Sequence, residues 1–232
     1  MSSVLQCFKI SGPKGFNYET QMGTLMWLDE ERKSFGSRWI DENLFPTGMT
    51  NKDDIHDILD VGCATGSLTI NIAKHFPKAK VYGIDLDMAA IIKAKERAAV
   101  ENVPNIEFCQ CSGSELDELW ENKFDWIVLV DVLHDLPNPE HCLKEIRRVL
   151  KQDGVISATD PLFHSDHKMN IGDARAAMEY TFSTFMCLPC SMSTEPAVGH
   201  GVGWGIENRI AFLKSNGFRI LGDENKPLVH FQ

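Results

Sequence analysis

The spacing of hydrophobic positions changes along the chain and divides it into stretches of different expected structure. Between residues 55 and 160, short apolar runs alternate with stretches in which apolar residues recur every three or four positions. The first pattern is typical of buried strands and the second of amphipathic helices. Strands that alternate with helices of about 10–15 residues predict βαβ units and a parallel sheet.

The predicted elements follow one another in a regular order. Strands are predicted at residues 55–61, 80–85, 106–111, 125–131 and 155–159, and helices at 68–76, 88–101 and 139–150. Two amphipathic helices are predicted within residues 19–43, and a last helix at 206–214 precedes an antiparallel strand pair at 218–221 and 228–231. We therefore predict a Rossmann-like, doubly wound α/β fold whose seven-stranded, mainly parallel sheet carries a helical cap.

Composition and charge exclude several classes of partner. The formal net charge is −10, so nucleic acid and anionic membrane surfaces are poor partners. No apolar stretch approaches the roughly 20 residues that span a bilayer, and the N-terminus does not resemble a secretory signal. The seven cysteines are an odd number, which fits a reducing compartment better than a disulfide framework. We expect a cytoplasmic protein, and the sequence does not indicate its oligomeric state.

A glycine-bearing turn between a predicted strand and helix indicates a nucleoside site. Residues 58–66 read Ile-Leu-Asp-Val-Gly-Cys-Ala-Thr-Gly, and Asp85 ends the next predicted strand. Small residues let the backbone approach a ligand, and a carboxylate at Asp85 can accept both ribose hydroxyls. Asp60 lies two residues before Gly62, where it would repel the pyrophosphate of a dinucleotide but would tolerate the cationic methionyl group of S-adenosylmethionine.

Four segments resemble class I S-adenosylmethionine-dependent methyltransferases. Residues 59–66 resemble the first motif of that family, 83–87 its ribose-binding strand end, 124–137 its fourth-strand motif and 149–155 the turn before its fifth strand. More weakly, residues 180–204 resemble a bacterial group whose members often carry an N-terminal winged-helix domain. The first 54 residues are expected to be too short for such a domain and its linker.

The resemblance implies a set of cofactor-binding residues. Backbone groups of the first motif would face the methionyl part, Asp85 would hold the ribose, and Asp131 would lie beneath the methionine amino group. The full implied set is Asp60, Gly62, Cys63, Ala64, Gly66, Asp85, Leu86, Cys111, Ser112, Gly113 and Asp131. Within that set, Cys111, Ser112 and Gly113 would border the adenine.

Two residues depart from the family pattern. Ala64 replaces a glycine, which costs about 1 kcal/mol if the turn needs a positive φ there. Ser112 replaces an aspartate beside the adenine, and a hydroxyl is a weaker partner than a carboxylate.

The expected function is methyl transfer from S-adenosylmethionine to a small-molecule acceptor, with a hydroxyl among the candidates. His134 follows the fourth strand and resembles the general base of plant-type O-methyltransferases; its alternative role is to order the loop. Ala64 and Ser112 keep open a catalytically silent, cofactor-binding regulatory protein. An NAD(P)-dependent oxidoreductase is a further alternative that Asp60 disfavours.

No metal site is expected from the sequence. Cys187 and Cys190 have metal-ligand spacing, but no second such pair accompanies them, so we interpret them as packed thiols. His164 and His167 lack a clear third ligand. Asp160, after the fifth strand, is expected to cap a helix or, less favoured, to form a wall of the site.

The domain organisation follows from these assignments. Residues 1–54 are expected to form an N-terminal helical cap, and residues 55–160 the cofactor-binding core. Residues 161–205 are expected to insert over the active site, and residues 206–232 to add the last helix and the terminal antiparallel strands.

Overall fold

A seven-stranded sheet is the centre of the protein in this computed structural model, which describes residues 2–16, 22–46, 49, 51–224, 226 and 228–232. The strand order is β3-β2-β1-β4-β5-β7-β6. Strands β1 to β5 pair in parallel, β7 is antiparallel to β5, and β6 is antiparallel to β7. The strands are β1 Asp57–Val61, β2 Lys80–Asp85, β3 Ile106–Gln110, β4 Phe124–Val130, β5 Leu150–Thr159, β6 Ile220–Leu221 and β7 Leu228–Phe231.

Helices cover both faces of this sheet. The helices are α1 Ser2–Cys7, α2 Met22–Arg32, α3 Ser37–Asn43, α4 Ser67–His75, α5 Met88–Val100, α6 Pro139–Val149, α7 Ala174–Phe185, α8 Cys187–Ser191 and α9 Ile206–Ser215. Alternate residues of β4 belong to two different hydrophobic clusters: Ile127 packs with α6 and α9, whereas Trp126 packs with α3 and α4. The predicted doubly wound, mainly parallel fold is therefore confirmed.

Most predicted elements agree with the structure to within two residues, and the differences have local causes. Strand β5 begins at Leu150 instead of Val155, and its register against β4 shifts between Phe124 and Trp126. The predicted turn at Asp153 is therefore an irregular stretch inside a longer strand. The two predicted N-terminal helices are α2 and α3, although residues 19–21 lie outside the described residues.

The strand order places a crevice at the carboxyl edge of the sheet. Chain connections leave β1 towards β2 on one side and β4 towards β5 on the other, so the order reverses between β1 and β4. Ligands of open α/β sheets bind outside the carboxyl ends of the strands at such a point. Within the described residues, no helix is long and apolar enough to cross a membrane.

Candidate active site

The turn after β1 has the left-handed backbone that the sequence suggested. Gly62, Ala64 and Gly66 have φ values of 74°, 48° and 84°. Left-handed backbone is easily adopted by glycine and costs other residues about 1–2 kcal/mol. The strain argued for Ala64 is therefore present in the folded chain.

The N–H groups of this turn bond within the protein. Gly62 and Cys63 donate to the carbonyl oxygen of Ile84 at 2.8 and 2.9 Å, and Ala64 donates to Asp85 Oδ2 at 2.9 Å. These bonds fasten the end of β1 to the end of β2. In this arrangement the three N–H groups are not free donors for a ligand, whereas the resemblance implied that they face one.

The Asp85 carboxylate accepts a hydrogen bond from the turn and can accept further hydrogen bonds. Its Oδ1 accepts from the Asp87 backbone at 2.9 Å, and its Oδ2 accepts from Ala64. Burial raises the pKa of Asp85, and the hydrogen bonds from Asp87 and Ala64 oppose that shift. A carboxylate has about four lone-pair positions, so two remain for the ribose hydroxyls expected here.

Asp60 lies beneath the turn instead of on its surface. Its side chain is buried and accepts from the Thr69 hydroxyl at 2.6 Å. Burial raises the pKa of Asp60 to about 7, although the Thr69 hydrogen bond lowers it. Asp60 therefore joins the start of α4 to β1 and contributes to the acidic character of the edge.

Helix α2 is fastened over the turn by a buried carboxylate that the sequence did not single out. Asp29 is 1% exposed and accepts from Arg97 Nη1 at 2.7 Å. It also accepts from the Ser67 hydroxyl at 2.9 Å and from its backbone N–H at 3.3 Å, and it contacts the Thr65 hydroxyl. Because Gly66, the N-cap of α4, has no capping side chain, Asp29 supplies this function from another helix.

The C-terminal end of α2 and the turn that follows it are also held by Asn71 of α4. Its amide donates to the carbonyl oxygens of Lys33 and Phe35 at 3.2 Å and of Arg32 at 3.4 Å. The two attachments place Arg32 against the end of β4. There Arg32 donates to Asp131 Oδ2 at 3.2 Å and to the Val130 carbonyl at 3.3 Å.

Asp131 and Arg32 form an ion pair at the edge of the sheet. Asp131 has a φ of 55° and its side chain is 47% exposed, whereas that of Arg32 is 16% exposed. Packed surroundings raise the pKa of Asp131, and the nearby charge of Arg32 opposes this. The pair offers one anionic and one cationic group, which is the complement of an amino acid's ammonium and carboxylate.

The residues implied for the adenine lie together beside Asp85. Leu86 is 58% exposed, and the Cys111 backbone donates to the Asp85 carbonyl at 3.0 Å. Cys111 and Ser112 are half-buried, and a side chain at Gly113 would meet Cys142 and Val61. An exposed leucine next to a partly open polar loop suits a flat ring with hydrogen-bonding edges.

His134 is held between two carboxylates. Its Nδ1 donates to Asp160, and its Nε2 lies 3.1 Å from Asp135 Oδ1. The Cys187 sulfur lies within 4.8 Å of a ring nitrogen of His134 and a carboxylate oxygen of Asp135. Burial alone would lower the pKa of His134, but the charge and hydrogen bond of Asp135, with the Asp160 bond, raise it well above its ordinary value.

This geometry bears on two predictions. An imidazolium whose two nitrogens face carboxylates cannot accept a proton as placed, so a general base at His134 requires the Asp135 contact to open. That role stays a prediction. The expectation that Asp160 caps a helix is wrong: it lies 3.4 Å from Arg209 Nη1 and accepts from His134.

The donor set at this edge fits S-adenosylmethionine. Asp131 places a carboxylate where the cofactor carries its ammonium, Asp85 offers acceptors to the ribose hydroxyls, and Arg32 supplies the cation for the methionyl carboxylate. The sequence did not reveal Arg32, Asp29 or Arg97, since these residues lie far from the motifs along the chain. The only signal was the predicted amphipathic helix that contains Arg32.

Comparison with known proteins identifies the family of this chain. A family profile described as a methyltransferase domain matches residues 52–208. Ubiquinone biosynthesis O-methyltransferase of Acinetobacter baumannii is 31% identical over 118 residues, which are 51% of this chain and 46% of that protein. Trans-aconitate 2-methyltransferase of Deinococcus radiodurans is 32% identical over 110 residues, 47% and 39% of the two chains. The match thus spans less than half the length of these curated relatives.

Solved structures share the fold. An S-adenosylmethionine-dependent methyltransferase from Aquifex aeolicus has a TM-score of 0.61 at 18% identity, covering 90% of this chain and 96% of that one. A structure titled as an O-methyltransferase from Nostoc punctiforme also has a TM-score of 0.61 at 19% identity, covering 99% and 65%. These structures show the fold, and the family profile covers most of the chain. The chain belongs to the methyltransferase-domain family.

Proposed function

We propose that this chain uses S-adenosylmethionine to methylate a hydroxyl of a small-molecule acceptor. The observation that carries the cofactor assignment is the ion pair of Arg32 and Asp131, which with the Asp85 carboxylate matches the charged and hydroxyl groups of the cofactor. The names of the Acinetobacter relative and of the Nostoc structure support an oxygen acceptor. The formal net charge of −10 makes nucleic acid a poor acceptor.

Each group at the edge would then have a role in binding the cofactor. Asp131 would hold the methionyl ammonium and Arg32 the methionyl carboxylate. Asp85 would accept from the ribose hydroxyls, and Leu86 with residues 111–113 would border the adenine. Gly62, Cys63, Ala64 and Gly66 would let the methionyl part come close to the backbone, and Asp60 would support the turn from below through Thr69.

The terminal and inserted segments complete the site in this proposal. Helix α2, in the proposed cap of residues 1–54, packs on α4, and α8, in the proposed insert of residues 161–205, packs on the 3₁₀ turn Leu133–Asp135. Both neighbours follow strands of the proposed core, residues 55–160. The two segments therefore flank the carboxyl edge of the sheet, one near the end of β1 and the other near the end of β4. Residues 206–232 complete the sheet.

Positioning is the main catalytic contribution in this proposal. S-adenosylmethionine supplies an activated methyl group on a sulfonium, so the chain has to align an acceptor oxygen and exclude water. If His134 also removes the acceptor's proton, Asp160 would orient the ring through Nδ1 as Nε2 is released from Asp135.

The proposal is tested with cofactor carrying a labelled methyl group. The enzyme is incubated with matched panels of phenols, carboxylic acids and thiols, and product mass is measured. We expect methyl ethers from phenols, and loss of product in Asp85→Ala but not in Asp223→Ala, a change far along the chain from the motifs. Methyl esters or thioethers without ethers would contradict the hydroxyl acceptor, although they would retain methyl transfer.

A further inference from the structure

A buried cluster after β4 combines the three side-chain types that bind transition metals. His134 and Asp135 lie in the 3₁₀ turn Leu133–Asp135, and Cys187 begins α8. A ring nitrogen, a carboxylate oxygen and the thiol sulfur of these residues all lie within 4.8 Å of one another. In the part of the chain that the structure describes, no other group of three such residues meets this criterion.

The spacing of these atoms is close to that around a metal ion. Zinc bonds of about 2.0–2.3 Å in a tetrahedron hold ligand atoms roughly 3.3–3.8 Å apart. The largest separation in the cluster exceeds this range by about 1 Å at most, since none is above 4.8 Å. Small rotations of three side chains are enough to bring the atoms onto one ion.

The orientation of His134 is the second argument. Its Nε2 lies 3.1 Å from Asp135 Oδ1, while Nδ1 donates to the Asp160 carboxylate. A histidine that binds a metal through one nitrogen almost always donates its other N–H to a carboxylate, a carbonyl or water. Asp160 is in turn 3.4 Å from Arg209, which fixes its position.

We propose that His134 Nε2, the Asp135 carboxylate and the Cys187 thiolate bind a divalent transition-metal ion. One nitrogen, one oxygen and one sulfur ligand match Zn²⁺ best. The three ligands leave a fourth position for water or another small ligand. No metal was expected from the sequence, because the ligands come from two distant segments and the Cys187–Cys190 pair contributes one thiol.

A metal site would give His134 a role different from that of a general base. A nitrogen bound to a metal has no lone pair for a proton, so a ligand role and a general-base role exclude each other. The metal proposal is independent of the acceptor, since the cluster stands on geometry that does not involve the cofactor-binding residues.

The test uses the whole purified chain after treatment with a chelator. Zn²⁺ affinity is measured by competition with a chromophoric chelator, and Co²⁺ is added as a spectroscopic substitute. We expect one ion per chain, with a thiolate-to-cobalt band and intense visible bands typical of tetrahedral cobalt. Cofactor-product binding and circular dichroism on the same samples report folding.

A matched pair of cysteine variants identifies the ligand. Cys187 and Cys190 are both buried in α8, so Cys187→Ser should abolish the thiolate band, whereas Cys190→Ser should keep it. Asp160→Asn should keep the band and weaken affinity by about ten- to a hundredfold, as loss of a ligand's carboxylate partner typically does. His164→Asn, at an exposed histidine, is expected to change neither.

Three outcomes would overturn the proposal. These are substoichiometric Zn²⁺ in the folded wild-type chain, a thiolate band that survives in Cys187→Ser, or a band lost equally in Cys190→Ser. Because cofactor-product binding is followed separately, failure of the metal site leaves the proposed methyl transfer untouched, and loss of cofactor binding leaves the spectra interpretable.

Discussion

Replacing Asp29 by alanine tests whether one buried carboxylate holds α2 over the cofactor turn. Asp29 accepts hydrogen bonds from Arg97, from the Ser67 hydroxyl and from the Ser67 backbone. Asp29→Ala leaves the Arg97 guanidinium, whose side chain is 18% exposed, without its main partner. It also removes the carboxylate that caps α4 from outside.

The expected cost follows from these contacts. Removing one partner of a buried ion pair typically costs about 3–5 kcal/mol, and loss of a helix cap costs about 1 kcal/mol. Arg97 retains some solvent, the Thr65 carbonyl at 3.2 Å and Glu30 at 3.8 Å. We therefore expect the free energy of unfolding to fall by about 3 kcal/mol, near the lower end of that range.

Glu30→Ala is the matched control for Asp29→Ala. Glu30 is the next residue of α2 and also faces Arg97, but its side chain is 58% exposed. Exposed pairs contribute about 0–1 kcal/mol, so this variant should unfold nearly as the wild type does. Urea unfolding followed by circular dichroism measures both. Equal losses in the two variants would refute the argument that Asp29 fixes the helix.

Three further predictions concern single residues of the site. Ala64→Gly should leave the free energy of unfolding within about 1 kcal/mol of wild type, because relief of strain at φ 48° is offset by the flexibility of glycine. The variant should also keep its cofactor affinity. A clear loss of affinity in calorimetry would mean that the Ala64 methyl group packs usefully. The pKa of Asp60 in the folded chain is about 7, so between about pH 4 and 7 folded Asp60 keeps a proton that the unfolded chain releases. Its contribution to the free energy of unfolding therefore falls by roughly 1 kcal/mol per pH unit as the pH rises through that window, and is constant above it. Urea titrations should show this slope in wild type and not in Asp60→Asn, and identical slopes would contradict the raised pKa. His134→Asn should lower turnover by about 10²–10⁴-fold with cofactor binding intact if His134 is a base, whereas near-normal turnover on an identified acceptor would remove it from the chemistry.

The parts of the fold that depend on local pattern could be predicted from the sequence. Strand β2, Lys80–Asp85, has the predicted bounds because an apolar alternation ends at a carboxylate and a helix signal follows. The positive φ at Ala64 agrees with the glycine that the family pattern has at that position. Gly217, just past the end of α9, has a φ of 79°, which suits glycine after a helix.

The parts that depend on long-range contacts could not be predicted. Asp29 and Arg97 are separated by most of the cofactor motif, and only folding brings the two charges to 2.7 Å. Asp160 follows a strand and precedes a loop, which favoured a helix cap, but its partners His134 and Arg209 come from elsewhere in the chain. Cys187 likewise meets His134 only because α8 packs on the turn after β4.

Calorimetry with S-adenosylhomocysteine and NADH, on the wild-type chain and on Asp85→Ala, tests the central claim most directly. The account predicts one molecule of S-adenosylhomocysteine bound per wild-type chain and no heat from NADH. In folded Asp85→Ala, affinity should fall by at least about tenfold, since hydrogen bonds to a charged group contribute about 1.5–3 kcal/mol. Binding of NADH in place of S-adenosylhomocysteine, or unchanged affinity in folded Asp85→Ala, would contradict the assignment of the cofactor to this edge of the sheet.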